Sequence, residues 1–96
     1  MGYSIEQKET GGNGMFYIEH DSDIVAELQY TVQDHGIMTL DHTETHPSMS
    51  GKGLAKKLVK HAVEYARDKK LKIDPLCSYA AAQFDRNEEY QDVRVD

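Results

Sequence analysis

Pro47-Ser48-Met49-Ser50-Gly51-Lys52-Gly53-Leu54-Ala55-Lys56-Lys57-Leu58 is where the reading of this chain turns. Before it, apolar residues alternate as in strands; after it they recur at helical spacing. Between the two lies a Gly-Lys-Gly turn. Two glycines let the backbone approach a ligand closely, and the helix that follows adds the positive end of its dipole. Such a strand, glycine turn and helix suits a phosphate or pyrophosphate group.

Working back from the turn, Ile37 to Thr45 reads as a strand closed by Pro47, which has no amide for a ladder. Gln33-Asp34-His35-Gly36 is the turn before it. Ile24 to Val32 alternates through Ile24, Ala26, Leu28, Tyr30 and Val32. Asp21-Ser22-Asp23 separates that strand from Met15 to His20, where Phe16 and Ile18 share a face. Gly11-Gly12-Asn13-Gly14 then joins it to a weak first strand, Ser4 to Glu9. Working forward, Gly53 to about Lys69 carries Ala55, Leu58, Val59, Ala62, Tyr65 and Ala66 at helical steps. Leu71 to Cys77 is a fifth strand, placed at an edge or splayed by Pro75. Ala80 to Phe84 and Glu88 to Gln91 are short helical turns. The expected fold is α/β (α+β): a mixed, mostly antiparallel sheet, one main helix after the fourth strand, and short C-terminal helical turns, all in one domain over residues 1–96.

Composition bounds the function. The 96 residues include 39% hydrophobic and 29% charged, with a net charge of −6, which fits a small globular domain and argues against a nucleic-acid partner. No apolar run nears the roughly 20 residues that cross a bilayer. The first residues lack the pattern of a signal peptide, and one cysteine suits a reducing compartment, so no membrane association and a cytoplasmic location are expected. Lys52, Lys56, Lys57 and Lys60 nevertheless gather at the turn and its helix, where they read first as a solvated helix face and second as a local attraction for a polyanion.

Two familiar nucleotide patterns fail on spacing. The P-loop needs Ser or Thr after its lysine, and Lys52 is followed by Gly53. The dinucleotide fingerprint needs a third glycine where Lys56 stands, and a parallel start where antiparallel strands are expected. A third pattern fits. Ser50-Gly51-Lys52-Gly53-Leu54-Ala55 resembles motif A of the GNAT N-acetyltransferase superfamily, Gln/Arg-x-x-Gly-x-Gly/Ala, with Gly53 and Ala55 in the fourth and sixth positions and Ser50 in place of the usual Gln or Arg. Asp41-His42-Thr43-Glu44, Leu71 to Cys77 and Tyr90-Gln91-Asp92-Val93 extend the resemblance to the branch of very short GNAT-like proteins.

That resemblance implies acetyl-coenzyme A as cosubstrate. Its pantetheine arm would lie between a fourth and fifth strand that splay apart, paired with backbone around Thr43, Glu44 and Thr45. Its pyrophosphate would rest on the amides of Gly51, Lys52, Gly53, Leu54 and Ala55, with Ser50 and Lys56 completing the cofactor-binding stretch. Full-sized members carry helices between the first two strands that help form the acceptor pocket; here only the Gly11 to Gly14 turn stands there, so the acceptor does not carry over.

The candidate catalytic groups follow from what acetyl transfer needs: a base for the attacking amine, and an acid for the leaving thiolate. His42, Glu44 and His46 are expected on one strand face. Glu44 is the first candidate base, directly or through water, and His42 the second; the alternative is a solvated polar strand. No metal is assigned, although His42-x-Glu44-x-His46 has ligand types for one. Cys77 is a candidate acyl-accepting nucleophile with His42 as its activating neighbour, against the reading of a buried small hydrophobe. Tyr79 is a candidate acid, against a packed ring. The expected function is acetyl-CoA-dependent N-acetyl transfer to an amine or thiol; a coenzyme-A-binding module without turnover is the second reading. Exposed sheet edges allow a homodimer.

Overall fold

The computed structural model describes residues 3–95. Ile5–Thr10 (β1), Asn13–His20 (β2), Asp23–Val32 (β3) and Ile37–Thr45 (β4) form an antiparallel meander, and Lys72–Pro75 (β5) adds to β4 in parallel, in the order β1-β2-β3-β4-β5. Between β4 and β5 the chain makes a 3-10 turn, Pro47–Met49, and the helix Leu54–Lys69 (α1). After β5 come the helix Ser78–Arg86 (α2) and a 3-10 segment, Glu88–Val93. The parallel pairing of β4 with β5 requires a crossover, and α1 supplies it.

The strand alternation selects the core. Phe16 and Ile18 of β2, Leu28 and Tyr30 of β3, Met38 and Leu40 of β4 and Ile73 of β5 are all buried on the face covered by Leu58, Val59, Ala62 and Ala66 of α1. Two bulges break that alternation. Ile18 pairs with Ala26 but Glu19 with Ile24, so Val25 is unpaired, and the expected inward Ile24 lies exposed while Val25 is buried. Tyr30 pairs with Leu40 but Gln29 with His42, so Asp41 is the extra residue in β4.

The fifth strand is shorter than the expected Leu71 to Cys77. Pro75 is its last paired residue; the amides of Leu76 and Cys77 both turn to the Leu40 carbonyl, each at 3.0 Å. The expected turn Ala80 to Phe84 lies inside the nine-residue α2, whose N-cap is the Cys77 sulfur, accepting from the Ala80 amide at 3.4 Å. The final segment is fastened residue by residue. Tyr90 is buried with its ring 5.4 Å from that of Phe84, and Gln91 donates to the Phe84 carbonyl at 2.6 Å. Asp92 takes two bonds from the Arg67 guanidinium at 2.8 and 2.7 Å, and Val93 is buried. Beyond it, the Val95 amide donates to the Ile73 carbonyl at 2.8 Å, on the outer side of β5.

Candidate active site

Because Leu40 is the last residue of β4 that pairs with β5, the rest of β4 has a neighbour on one side only. Which of its backbone groups are free follows from the antiparallel pattern. His46 donates its amide to Val25 at 2.8 Å, so in the register Glu27–Glu44 and Gln29–His42 those pairs exchange bonds with β3. Thr43 and Thr45 lie at the alternate positions, and their N–H and C=O groups point into the gap. An extended, amide-bearing ligand has a ready edge there.

The gap leads to the glycine turn. Gly51 and Gly53 have φ of 81° and 74°, the left-handed region, and a Cβ built on either meets nothing within 4 Å. The space beside both glycines is therefore open. The first helical amide with a partner inside α1 is that of Lys57, bonded to the Gly53 carbonyl at 3.1 Å. Gly53 caps α1 without a side-chain bond, and no acidic side chain stands in the first turn. The amides of Leu54, Ala55 and Lys56 thus lack helical partners, as at every helix start, and meet no competing carboxylate. A cleft of about 330 Å³ brings together Thr45, Ser50, Gly51, Gly53, Leu54, Ala55 and Tyr79, with Met49 also in its wall. Its shape and its unpaired donors fit a pyrophosphate joined to an amide chain.

At the inner end of the gap the Thr43 hydroxyl stands 4.0 Å from the Cys77 sulfur. Tyr79, in the first turn of α2, is 36% exposed, and burial pushes its phenol above the ordinary value, with Arg86 partly opposing. The phenol stays protonated through neutral pH and can donate. Thr43, Cys77 and Tyr79 therefore border the same gap.

Glu44 and His42 do not. Adjacent strand residues point to opposite faces, and since Thr43 faces Cys77, His42 and Glu44 face the other side of the sheet, where both are exposed. His42 is thus not the neighbour of Cys77 that the sequence reading paired it with. Glu44 is set across from Glu27. His46 leaves this set as well: its Nδ1 meets the Ser48 amide at 3.2 Å and the Ser48 hydroxyl at 2.9 Å, capping the 3-10 turn. Among the described residues no group of His, Cys, Asp and Glu is placed to hold a metal ion. Lys52 is exposed, and Lys56 borders a different hollow, with Lys60 between α1 and the final 3-10 segment.

The sequence reading missed the device that shapes β4. The bulged Asp41 accepts from the Thr39 hydroxyl through Oδ1 and from the Thr31 hydroxyl through Oδ2, each at 2.8 Å. Thr39 is buried. With both oxygens engaged, the extra residue is held outward just where β5 departs. The spacing Thr39-x-Asp41 was visible, but its partner Thr31 belongs to the neighbouring strand.

The sequence from 15 to 93 matches the model of the GCN5-related N-acetyl-transferase family. Among solved structures, a GCN5-like candidate N-acetyltransferase from Staphylococcus aureus is 35% identical and superposes with a TM-score of 0.73, over 94% of this chain and 87% of that one. The ribosomal-protein-S18-alanine N-acetyltransferase from Escherichia coli is 14% identical, with a TM-score of 0.66 over 81% of this chain and 53% of the enzyme. An aminoglycoside N-acetyltransferase in complex with coenzyme A is 11% identical, with a TM-score of 0.65 over 86% and 88%. The last two share the fold. No curated protein matches the sequence significantly.

Proposed function

The chain belongs to the GCN5-related N-acetyltransferase family, and on that premise we propose that it holds acetyl-coenzyme A along the open edge of β4 and passes the acetyl group to an amine or thiol acceptor. Acetyl-coenzyme A is the cosubstrate this family uses. One observation carries the reading: β4 and β5 part after Leu40, and the edge so freed runs into the Gly51–Gly53 turn and the start of α1. Thr43 and Thr45 then pair with the amides of the pantetheine arm, and the amides from Gly51 to Ala55 hold the pyrophosphate.

In this account the acceptor amine attacks the thioester carbonyl carbon, and Glu44 takes the proton, directly or through a water. The carbon–sulfur bond breaks and Tyr79 protonates the departing thiolate. Glu44 suits an acceptor arriving from the uncovered sheet face. The register Glu6–Tyr17–Glu27–Glu44 sets three carboxylates across that face, which favours a cationic amine. The thiol route replaces the amine by Cys77: its sulfur bonds to the acetyl carbon and coenzyme A leaves as the free thiol.

The two-residue link between β1 and β2, Gly11-Gly12, where full-sized relatives carry helices, favours the second reading of a binding module without turnover. The test is intact mass after incubation with acetyl-coenzyme A, then thiol release against a panel of amines. Transfer predicts thiol release that falls about 10²-fold or more in Glu44→Gln, and an added acetyl group that Cys77→Ala abolishes if the thiol route operates. Tight binding with no release and no added mass would leave only the binding module.

A further inference from the structure

The two edges of the sheet are treated differently. On the β5 side Pro75 removes a donor, and the segment Arg94–Val95 lies along Ile73, bridging it and donating to its carbonyl. These are devices that prevent edge-to-edge pairing. On the β1 side, strand Ile5–Thr10 has no proline and pairs with β2 without a bulge, and Glu6 to Thr10 are exposed. Among the described residues nothing bonds to its outer edge.

The groups on that edge can be identified. Val32 donates its amide to the Gly12 carbonyl at 2.7 Å, so the even-numbered residues at the start of β2 bond to β3, and Asn13, Met15 and Tyr17 bond to β1. Their partners there are Thr10, Lys8 and Glu6. Ile5, Gln7 and Glu9 therefore turn their N–H and C=O groups outward.

We propose that this edge is a self-association surface: two copies pair antiparallel through β1, with Gln7 opposite Gln7 at the two-fold axis. Charge selects the register. Outward groups must meet outward groups, so only shifts of two residues are open. Centring on Gln7 sets Glu6 opposite Lys8 of the second copy, and Lys8 opposite its Glu6. A shift one way sets Lys8 against Lys8, and a shift the other way sets Glu6 against Glu6; like charges directly opposite destabilise a pair. The Gln7-centred register also keeps the whole strand paired, with Ile5 bonding Glu9 and Ser4 beside Thr10. The helix α1 packs over β2, β3, β4 and β5, so it does not stand over the joining edge. This inference is independent of whether acetyl transfer occurs.

Sedimentation equilibrium of the full chain from low micromolar to millimolar concentration tests it, with Lys8→Glu, Glu6→Lys and the double exchange. The wild type should show a monomer–dimer equilibrium. Each single exchange should raise the dissociation constant roughly tenfold, since two opposed pairs become repulsive, and the double exchange should restore it. Proton–nitrogen correlation spectra check that each variant is folded, as these exposed positions should allow. Hydrogen exchange at the amides of Ile5, Gln7 and Glu9 should slow with protein concentration. A monomer throughout the range, a dimer indifferent to the exchanges, or a double variant as weak as the singles would overturn the proposal.

Discussion

Asp41 occupies its position because β4 has one residue more than its partner, and that excess is what parts the strand into two halves. Up to Leu40, β4 builds core and ladder; after Asp41 its side chains resume alternation one step out of phase. Thr43 thereby faces Cys77, and Glu44 the open face. Replacing Asp41 by Ala removes the nearer acceptor of the Thr31 and Thr39 hydroxyls, leaving them the Asn13 Oδ1 at 3.1 Å and the Thr31 carbonyl at 3.5 Å, and should cost about 1 kcal/mol in urea unfolding. The amide signals of His42 and Thr43 should move with it; if they stay in place, the clamp does not set the bulge. Gly14 is constrained differently. A Cβ there would lie 2.5 Å from the Tyr30 ring and 2.7 Å from the Lys8 carbonyl. Tyr30 cannot move freely, because its hydroxyl donates to Glu9 at 2.7 Å and accepts from Gln7 at 2.6 Å. Gly14→Ala should therefore destabilise by about 1–3 kcal/mol, and Tyr30→Phe in the same background should recover part of that loss. Full stability in Gly14→Ala would contradict the packing described.

Among the elements, the turn into α1 was the most legible and β5 the least. Glycines at 51 and 53 announce backbone that other residues avoid, and their φ values bear this out. The helix was legible because its apolar residues recur on one face over sixteen residues. A four-residue strand has no period to read, and Pro75 hinted only that pairing stops near it. The bulges at Val25 and Asp41 left no local mark, since each depends on the register of the neighbouring strand. Hence the sequence placed Glu44 on a polar face correctly in kind while joining His42 to Cys77 across a sheet. Gly53→Ala separates backbone from ligand effects. The left-handed conformation should cost about 1–2 kcal/mol, and the new methyl would enter the open space of the cradle, so acetyl-coenzyme A binding measured by calorimetry should weaken at least about tenfold. Unchanged affinity would remove the turn from the site.

For the whole molecule, the core is one layer of helix on a five-stranded sheet, and its buried phenols make stability depend on pH in the alkaline range. Burial raises Tyr30 well above its ordinary 10.0, helped by Glu9 and opposed by Gln7; burial also raises Tyr90. In the unfolded chain these groups ionise near 10.0, while in the folded chain they hold their protons. The unfolded state then binds fewer protons, so the contribution of these phenols is constant through neutral pH and falls as pH rises past the unfolded value towards the folded one. Urea midpoints from pH 7 to 11 should show that fall, and Tyr30→Phe should flatten it; a slope unchanged by the substitution would assign the fall to other groups. Asp92 adds the opposite edge. Arg67 lowers its carboxyl, so its contribution is present above the ordinary value of 3.8 and is lost as pH drops through the folded one; being at the surface, it adds little.

The fold places an open strand edge, a glycine cradle, a thiol and a phenol along one gap, and the proposed function requires acetyl-coenzyme A to occupy it. Titration of the nitrogen-labelled chain with acetyl-coenzyme A, followed by amide chemical shifts, tests that most directly. Binding in the gap should give saturable shifts concentrated at Thr43, Thr45 and the amides from Gly51 to Ala55, with Cys77 and Tyr79 responding. No shift at millimolar ligand, or shifts gathered on the outer face of β1 and β2 instead, would contradict it.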